Sequence, residues 1–139
     1  NTSAAVGAAI ALKNKGKFCV SIGGDGDYLM APATIWSAVH YRAPMLHIVN
    51  NNSTWGNDEV HQVEVAHNRN RPKENAWIGQ AMRDPIINFA DVARGFGAWA
   101  KGPVGTPDDF AAALREAVAE VEKGNVAVID VTTTLGIVS

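Results

Sequence analysis

The residues Ser21-Ile22-Gly23-Gly24-Asp25-Gly26-Asp27, then a helical stretch, then Met45-Leu46-His47-Ile48-Val49-Asn50-Asn51-Asn52, decide how this chain folds. Asp25 and Asn52 stand 27 positions apart. That is enough chain for one helix and one returning strand, the crossover that joins neighbouring strands of a parallel sheet. Such a crossover carries the Asp25 carboxylate and the Asn52 amide to the same edge of the sheet, where its strands end. Ligands of open α/β sheets bind at that edge. A hard cation such as Mg²⁺ takes oxygen ligands in octahedral geometry and often shares them with phosphates. The spacing therefore reads as a metal-diphosphate site. The glycines flanking Asp25 allow a tight turn and a close approach of backbone to phosphate oxygens.

Outward from this pair, the chain alternates between two periodicities. Residues 17–22 form a short apolar run, read as a buried strand, and residues 23–26 follow as a loop. Before them, residues 4–13 read as a helix with Val6, Ala9 and Ile10 on one side, ending near Gly16. After them, Pro32 fits the first turn of a helix carrying Ile35, Trp36 and Val39, which Pro44 closes. Residues 45–49 are the next strand. Residues 52–83 are polar and read as an irregular insertion of the kind that carries function. Asp84 and Pro85 predict a helix start, with Ile86, Phe89, Ala90 and Ala93 facing inward and Gly95 and Gly97 at its end. Residues 98–101 could pair as a short strand. Thr106, with Asp109 three residues later, caps a helix whose stripe is Phe110, Leu114, Ala117, Val118 and Val121, and Gly124 stops it. Residues 126–131 are the last strand. The alternation predicts an α/β fold: one domain over residues 1–139, a parallel sheet with helices on both faces.

Composition narrows the function. With 139 residues, 47% of them hydrophobic, the chain can bury a core. A net charge of -2 gives no basic footprint for nucleic acid. No apolar run reaches membrane-spanning length and no signal peptide opens the sequence. A single cysteine, Cys19, excludes an internal disulfide and fits a reducing, cytoplasmic setting. It lies in an apolar run and reads as a core residue. The opening Asn1-Thr2-Ser3, without an initiator Met, predicts a piece of a longer protein.

Other chemistries are weighed against the metal-diphosphate site. A dinucleotide fingerprint needs a glycine at position 29, where Leu29 stands. Asp25 and Asp27 after an apolar strand also suit a phosphatase of the haloacid dehalogenase type, with Asp25 as nucleophile and Asp27 as acid/base. Tyr28 and Leu29 stand where that family has small hydroxyl residues. His40 and His47 read as core or strand residues. His61, beside Glu59, is a candidate for an active-site role, and Arg69, Arg71 and Lys73 form a solvated basic face.

At these residues the sequence resembles the thiamine-diphosphate-dependent enzymes. More narrowly, it is similar to the diphosphate-binding domain of the acetolactate synthase, pyruvate decarboxylase and benzoylformate decarboxylase superfamily. That family joins Gly-Asp-Gly to Asn-Asn across about two dozen residues. Here the pattern is Gly24-Asp25-Gly26 to Asn51-Asn52, followed by Ser53-Thr54-Trp55-Gly56. Trp36-Ser37-Ala38, Pro44 and Phe96-Gly97-Ala98 agree as well. The resemblance implies Mg²⁺ on the Asp25 and Asn52 side chains and the Thr54 carbonyl. It also implies thiamine diphosphate against Gly24, Gly26, Asp27, Asn52, Thr54, Trp55 and Gly56. It implies a 2-oxo acid as small-molecule substrate, decarboxylase or carboligase (lyase or transferase) chemistry, and a homo-oligomer. It assigns no catalytic side chain to this sequence. A pyrimidine-binding domain with its activating glutamate is implied outside residues 1–139, so the chain is expected to be inactive alone. Asp27 departs from the family, which has Ser or Ala there. A carboxylate beside diphosphate is unfavourable unless it points away or is neutralised. That departure keeps a non-catalytic partner-binding module of the same fold among the alternatives.

Overall fold

Four parallel strands lie in the order β1-β2-β4-β3: β1 is Val20–Gly24, β2 Met45–Asn51, β3 Trp99–Val104 and β4 Val126–Thr132. The computed structural model describes residues 2–134. β2 and β4 are central and buried on both faces, which is why they read as unbroken apolar runs. Successive side chains along them enter opposite halves of the core. Met45, Val49, Val126 and Val128 meet one set of helices, and Leu46, Ala127 and Ile129 meet another.

The first face is covered by α1 (Thr2–Leu12), α3 (Thr34–His40) and α5 (Phe89–Gly95). They bury Val6 and Ala9, Ile35 and Ala38, and Phe89 and Ala93 there. The second face is covered by α6 (Pro107–Glu122), which lays Ala113, Ala117 and Val121 on β2, β3 and β4. The small Ala113 and Ala117, one turn apart, let the helix backbone lie close to the sheet. Its start is the expected one: Thr106 Oγ1 accepts the Asp109 N–H at 3.1 Å, with Pro107 in the first turn. Helices on both faces of a parallel sheet were the expected fold, with one exception. On the second face no helix among the described residues lies over the edge strand β1, and Val20 and Ile22 stand 53% and 72% exposed.

Several boundaries move, each for a physical reason. The first strand begins at Val20, because Val20 is where pairing with Leu46 begins, and it takes in Gly23 and Gly24. There is no loop at residues 23–26, since α2 (Asp25–Met30) starts directly at Asp25. Ile10 and Trp36 face outward, and Ala38 rather than Trp36 packs inward. The start predicted at Asp84 and Pro85 is corrected. Arg83 and Ile86 form an isolated antiparallel bridge, and Ile86 is 76% exposed. The helix begins four residues later, where Asn88 Oδ1 accepts the Asp91 N–H at 3.0 Å. Phe89, Ala90 and Ala93 are buried as expected.

The insertion is not wholly irregular. It contains α4 (Gly56–Asn68), which has acidic Asp58 and Glu59 in its first turn and buries none of its residues. Having no buried stripe, it gave the sequence no apolar period to reveal it. No helix among the described residues is long and apolar enough to cross a membrane.

Candidate functional site

Asp25 is the first residue of α2, immediately beyond the end of β1, and it is buried. Its Oδ1 accepts the Gly26 N–H at 2.9 Å. Its Oδ2 is buried and has no hydrogen-bond partner among the described residues. Burial raises the Asp25 pKa, and the Gly26 N–H opposes this, followed by those of Ser53, Thr54 and Asn52. None of these last three makes a hydrogen bond to Oδ2, and two of them are engaged elsewhere. The Ser53 N–H goes to Asn51 Oδ1 at 3.2 Å and the Thr54 N–H to Asn52 Oδ1 at 3.0 Å. These are two consecutive Asx turns, folded tightly by Ser53 at φ +57°. The segment after β2 is therefore wrapped around the Asp25 carboxylate, and the two ends of the motif converge.

A cavity of about 680 Å³ opens at this edge of the sheet. Gly24, Asp25, Gly26 and Asp27 line it on one side, and Asn52, Thr54, Trp55 and Gly56 on the other. Every residue singled out in the sequence for metal or cofactor lies on its wall. Gly26 has to be glycine, since a Cβ there would stand 2.7 Å from Cε3 of the Trp55 ring. Three lining residues come from the start of α4 and were missed as site residues: Asn57, Asp58 and Val60, with Glu59 behind them accepting the Thr54 hydroxyl at 2.9 Å. His61 does not line the cavity. Arg69, Arg71 and Lys73 are exposed, and His40 lies on the surface, stacked on Trp36 at 4.7 Å.

Beneath the cavity, Tyr28 anchors α2. It is fully buried, stacked on His47 at 5.6 Å and edge-on to Phe89 at 5.4 Å. Neither nitrogen of His47 has a hydrogen-bond partner among the described residues. Burial pushes the His47 pKa down to about 4, while the Asp27 charge acts in the opposite direction. A neutral histidine in the fold that charges when unfolded stabilises the fold above its unfolded pKa. That contribution falls as pH drops from about 6.5 towards 4. We expect the wild type to lose about 2 kcal/mol more than His47→Phe between pH 7 and pH 5. Urea unfolding of both proteins at the two pH values measures the difference. Equal losses would mean that His47 is solvated or paired.

A second buried carboxylate lies further inside. Asp130 of β4 accepts the Asn51 amide N–H at 3.0 Å and the Phe89 N–H at 2.9 Å. Burial raises its pKa, opposed by the Asn51 side chain and the N–H groups of Phe89 and Ala90, and the Asp25 charge raises it further. The sequence reading counted Asp130 only as part of an apolar strand. An acid inside such a run was the available signal, because carboxylates are rarely buried without dedicated partners.

The sequence matches the family described as thiamine pyrophosphate enzyme, C-terminal TPP binding domain, over residues 1–131. The fold is similar to that of the thiamine diphosphate-dependent 4-hydroxybenzoylformate decarboxylase of Rhodococcus jostii RHA1. The TM-score is 0.74 at 27% identity, over 95% of this chain and 22% of that one. A putative thiamin diphosphate-dependent enzyme from Mycobacterium smegmatis shares the fold with a TM-score of 0.64 at 24% identity, over 95% of this chain and 21% of that one. So does the benzoylformate decarboxylase of Polynucleobacter necessarius, with a TM-score of 0.68 at 21% identity, over 94% of this chain and 23% of that one. The chain thus spans less than a quarter of each of these proteins. With that match running from the first residue into the last strand, the chain belongs to the thiamine pyrophosphate enzymes, through their C-terminal TPP-binding domain.

Proposed function

We propose that residues 1–139 are the diphosphate-binding domain of a longer 2-oxo acid decarboxylase or carboligase, and that they hold thiamine diphosphate through one Mg²⁺. The observation that carries this reading is the buried, unpartnered Asp25 Oδ2 facing the turn of Asn52 and Thr54. A desolvated carboxylate without a donor favours a cation beside it. The Asn52 amide oxygen, which keeps a second lone pair beyond its bond to Thr54, and the Thr54 carbonyl are neutral oxygen donors of the kind Mg²⁺ accepts. Gly24, Gly26 and the backbone of Asp27 suit the diphosphate oxygens, and Trp55 and Gly56 close the opposite wall. When bound, thiamine diphosphate supplies the electron sink for cleavage beside a 2-oxo acid carbonyl. The contribution of this chain is to neutralise the diphosphate charge, fix its position and wall off water.

Asp27 also lines the cavity, so on this reading the diphosphate meets its backbone and not its carboxylate. Exposed Phe18, Val20 and Ile22 at the open edge strand support burial of that face in a larger assembly. A homo-oligomer with a pyrimidine-binding domain is the assembly proposed.

Calorimetric titration of the full-length protein with thiamine diphosphate tests the reading. Binding is expected with Mg²⁺ present and a loss of at least about 100-fold in affinity after chelation by EDTA. Binding without turnover of any 2-oxo acid would favour the non-catalytic module. Hydrolysis of a phosphate monoester without a thiamine cofactor would favour the Asp25–Asp27 phosphatase.

A further inference from the structure

The geometry points to Asp130 as a positioning residue for the metal-binding turn, acting through Asn51. This inference rests on the proposed cofactor site and adds a part to it. Asp130 is 0% exposed, in the centre of the sheet, and lies outside the residues lining the cavity. One of its oxygens takes the Asn51 amide N–H, and the other takes the Phe89 N–H at the start of α5. With both carboxylate oxygens engaged, the Asn51 amide is held in one orientation. Its donor end faces Asp130, so its Oδ1 faces the chain ahead.

That Oδ1 accepts both the Ser53 N–H at 3.2 Å and the Ser53 hydroxyl at 3.3 Å. The Asn51 carbonyl accepts the Thr133 N–H at 2.8 Å, which ties the same residue to the end of β4. Asn51 is therefore fixed by its amide and by its backbone. Ser53, in the left-handed region, is fixed by Asn51. Between them stands Asn52, and after them Thr54, the two neutral donors assigned to the cation. A flip of the Asn51 amide would set an N–H₂ group against the Ser53 N–H, and the turn would lose the backbone bond that folds it. The Asp130 charge makes that flip unfavourable, because a carboxylate can only accept. Outer groups of this kind orient the ligands of a metal, and their loss typically costs 10- to 100-fold in metal affinity.

The test uses the full-length protein with Asp130→Asn, which keeps the shape but offers one acceptor where two donors need one. Asn51→Ala breaks the relay from the other end and serves if the first variant does not fold. Two readouts separate this inference from the reading beneath it. Hydrogen–deuterium exchange without cofactor should speed up at least about tenfold in peptides covering residues 52–56, while peptides from α6 stay unchanged. The Mg²⁺ concentration giving half-maximal thiamine diphosphate binding should rise about tenfold, with binding recovered at saturating Mg²⁺. Asp130→Glu, which keeps two charged acceptors, should recover much of both. Unchanged exchange at residues 52–56 overturns the clamp. Faster exchange with an unchanged Mg²⁺ requirement overturns the positioning role and leaves a structural one. If even the wild type shows no Mg²⁺-dependent binding, the cofactor reading fails, and the exchange data still decide whether the clamp exists.

Discussion

Asp25→Ala is expected to remove Mg²⁺-dependent thiamine diphosphate binding from the full-length protein. Three ligands are assigned to the cation, and only Asp25 carries charge. Removing it leaves a dication on two neutral oxygens, opposite a diphosphate that brings several negative charges. Breaking a buried ion pair by deleting one partner costs about 3–5 kcal/mol. That corresponds to about 100- to 5000-fold in affinity. The same substitution should leave the cofactor-free protein as stable as the wild type or slightly more so. Without a cation the Asp25 carboxylate is a burden on the fold: burial raises its pKa and Oδ2 has no donor. The paired outcome, lost binding with undiminished stability, separates a ligand from a structural residue. Titration calorimetry reads the first quantity and urea unfolding the second. Retention of Mg²⁺-dependent affinity within about threefold of wild type, less than 1 kcal/mol, would remove Asp25 from the site.

The parts of this molecule that the sequence made legible are those where a local rule and the tertiary structure agree. Thr106 and Asp109 specify the start of α6 within four residues, and nothing distant alters it. The central strands are apolar because both their faces are covered, so residues 45–49 and 126–131 were identifiable without knowing their neighbours. The site was legible for a topological reason. A strand, a helix and a parallel strand return the chain to the same edge, whatever the side chains between them, and Asp25 and Asn52 each follow a strand end. What stayed hidden depends on partners far away in sequence. The Asp84-Pro85 pair satisfies a helix-start rule as well as Asn88 does. The choice fell to Asn88, next to Phe89, whose N–H is taken by Asp130 of β4. The helix α4 buries nothing, so hydrophobic period could not identify it. Asn51 was read as half of a motif, while its role in orienting the turn becomes visible only once Asp130 lies beside it.

Gly102→Ala is expected to destabilise the protein by about 3 kcal/mol and to weaken Mg²⁺ binding with it. Gly102 has φ +139°, outside the range that side-chain-bearing residues adopt without strain. A Cβ added there would stand 2.5 Å from the Asp130 carbonyl oxygen and 2.7 Å from the Asp130 Cβ. Both contacts involve a central strand rather than the free end of a flexible side chain, so relief requires β3 to move away from β4. The register between these strands already shifts between Lys101 and Val104, so the pairing is weakest at this point. The displacement would fall at the level of Asp130, the residue that orients Asn51. Loss of stability and a higher Mg²⁺ requirement should therefore appear together in this variant, although Gly102 lies outside the cavity lining. Gly105→Ala is the control: nothing lies within 4 Å of its Cβ position, and its cost should stay below about 1 kcal/mol. Urea midpoints for the two variants, with the Mg²⁺ titration of each, measure both effects. A Gly102→Ala protein with the midpoint and Mg²⁺ requirement of the wild type would mean that β3 yields at this position without disturbing β4, and would break the link from Gly102 through Asp130 to the metal-binding turn.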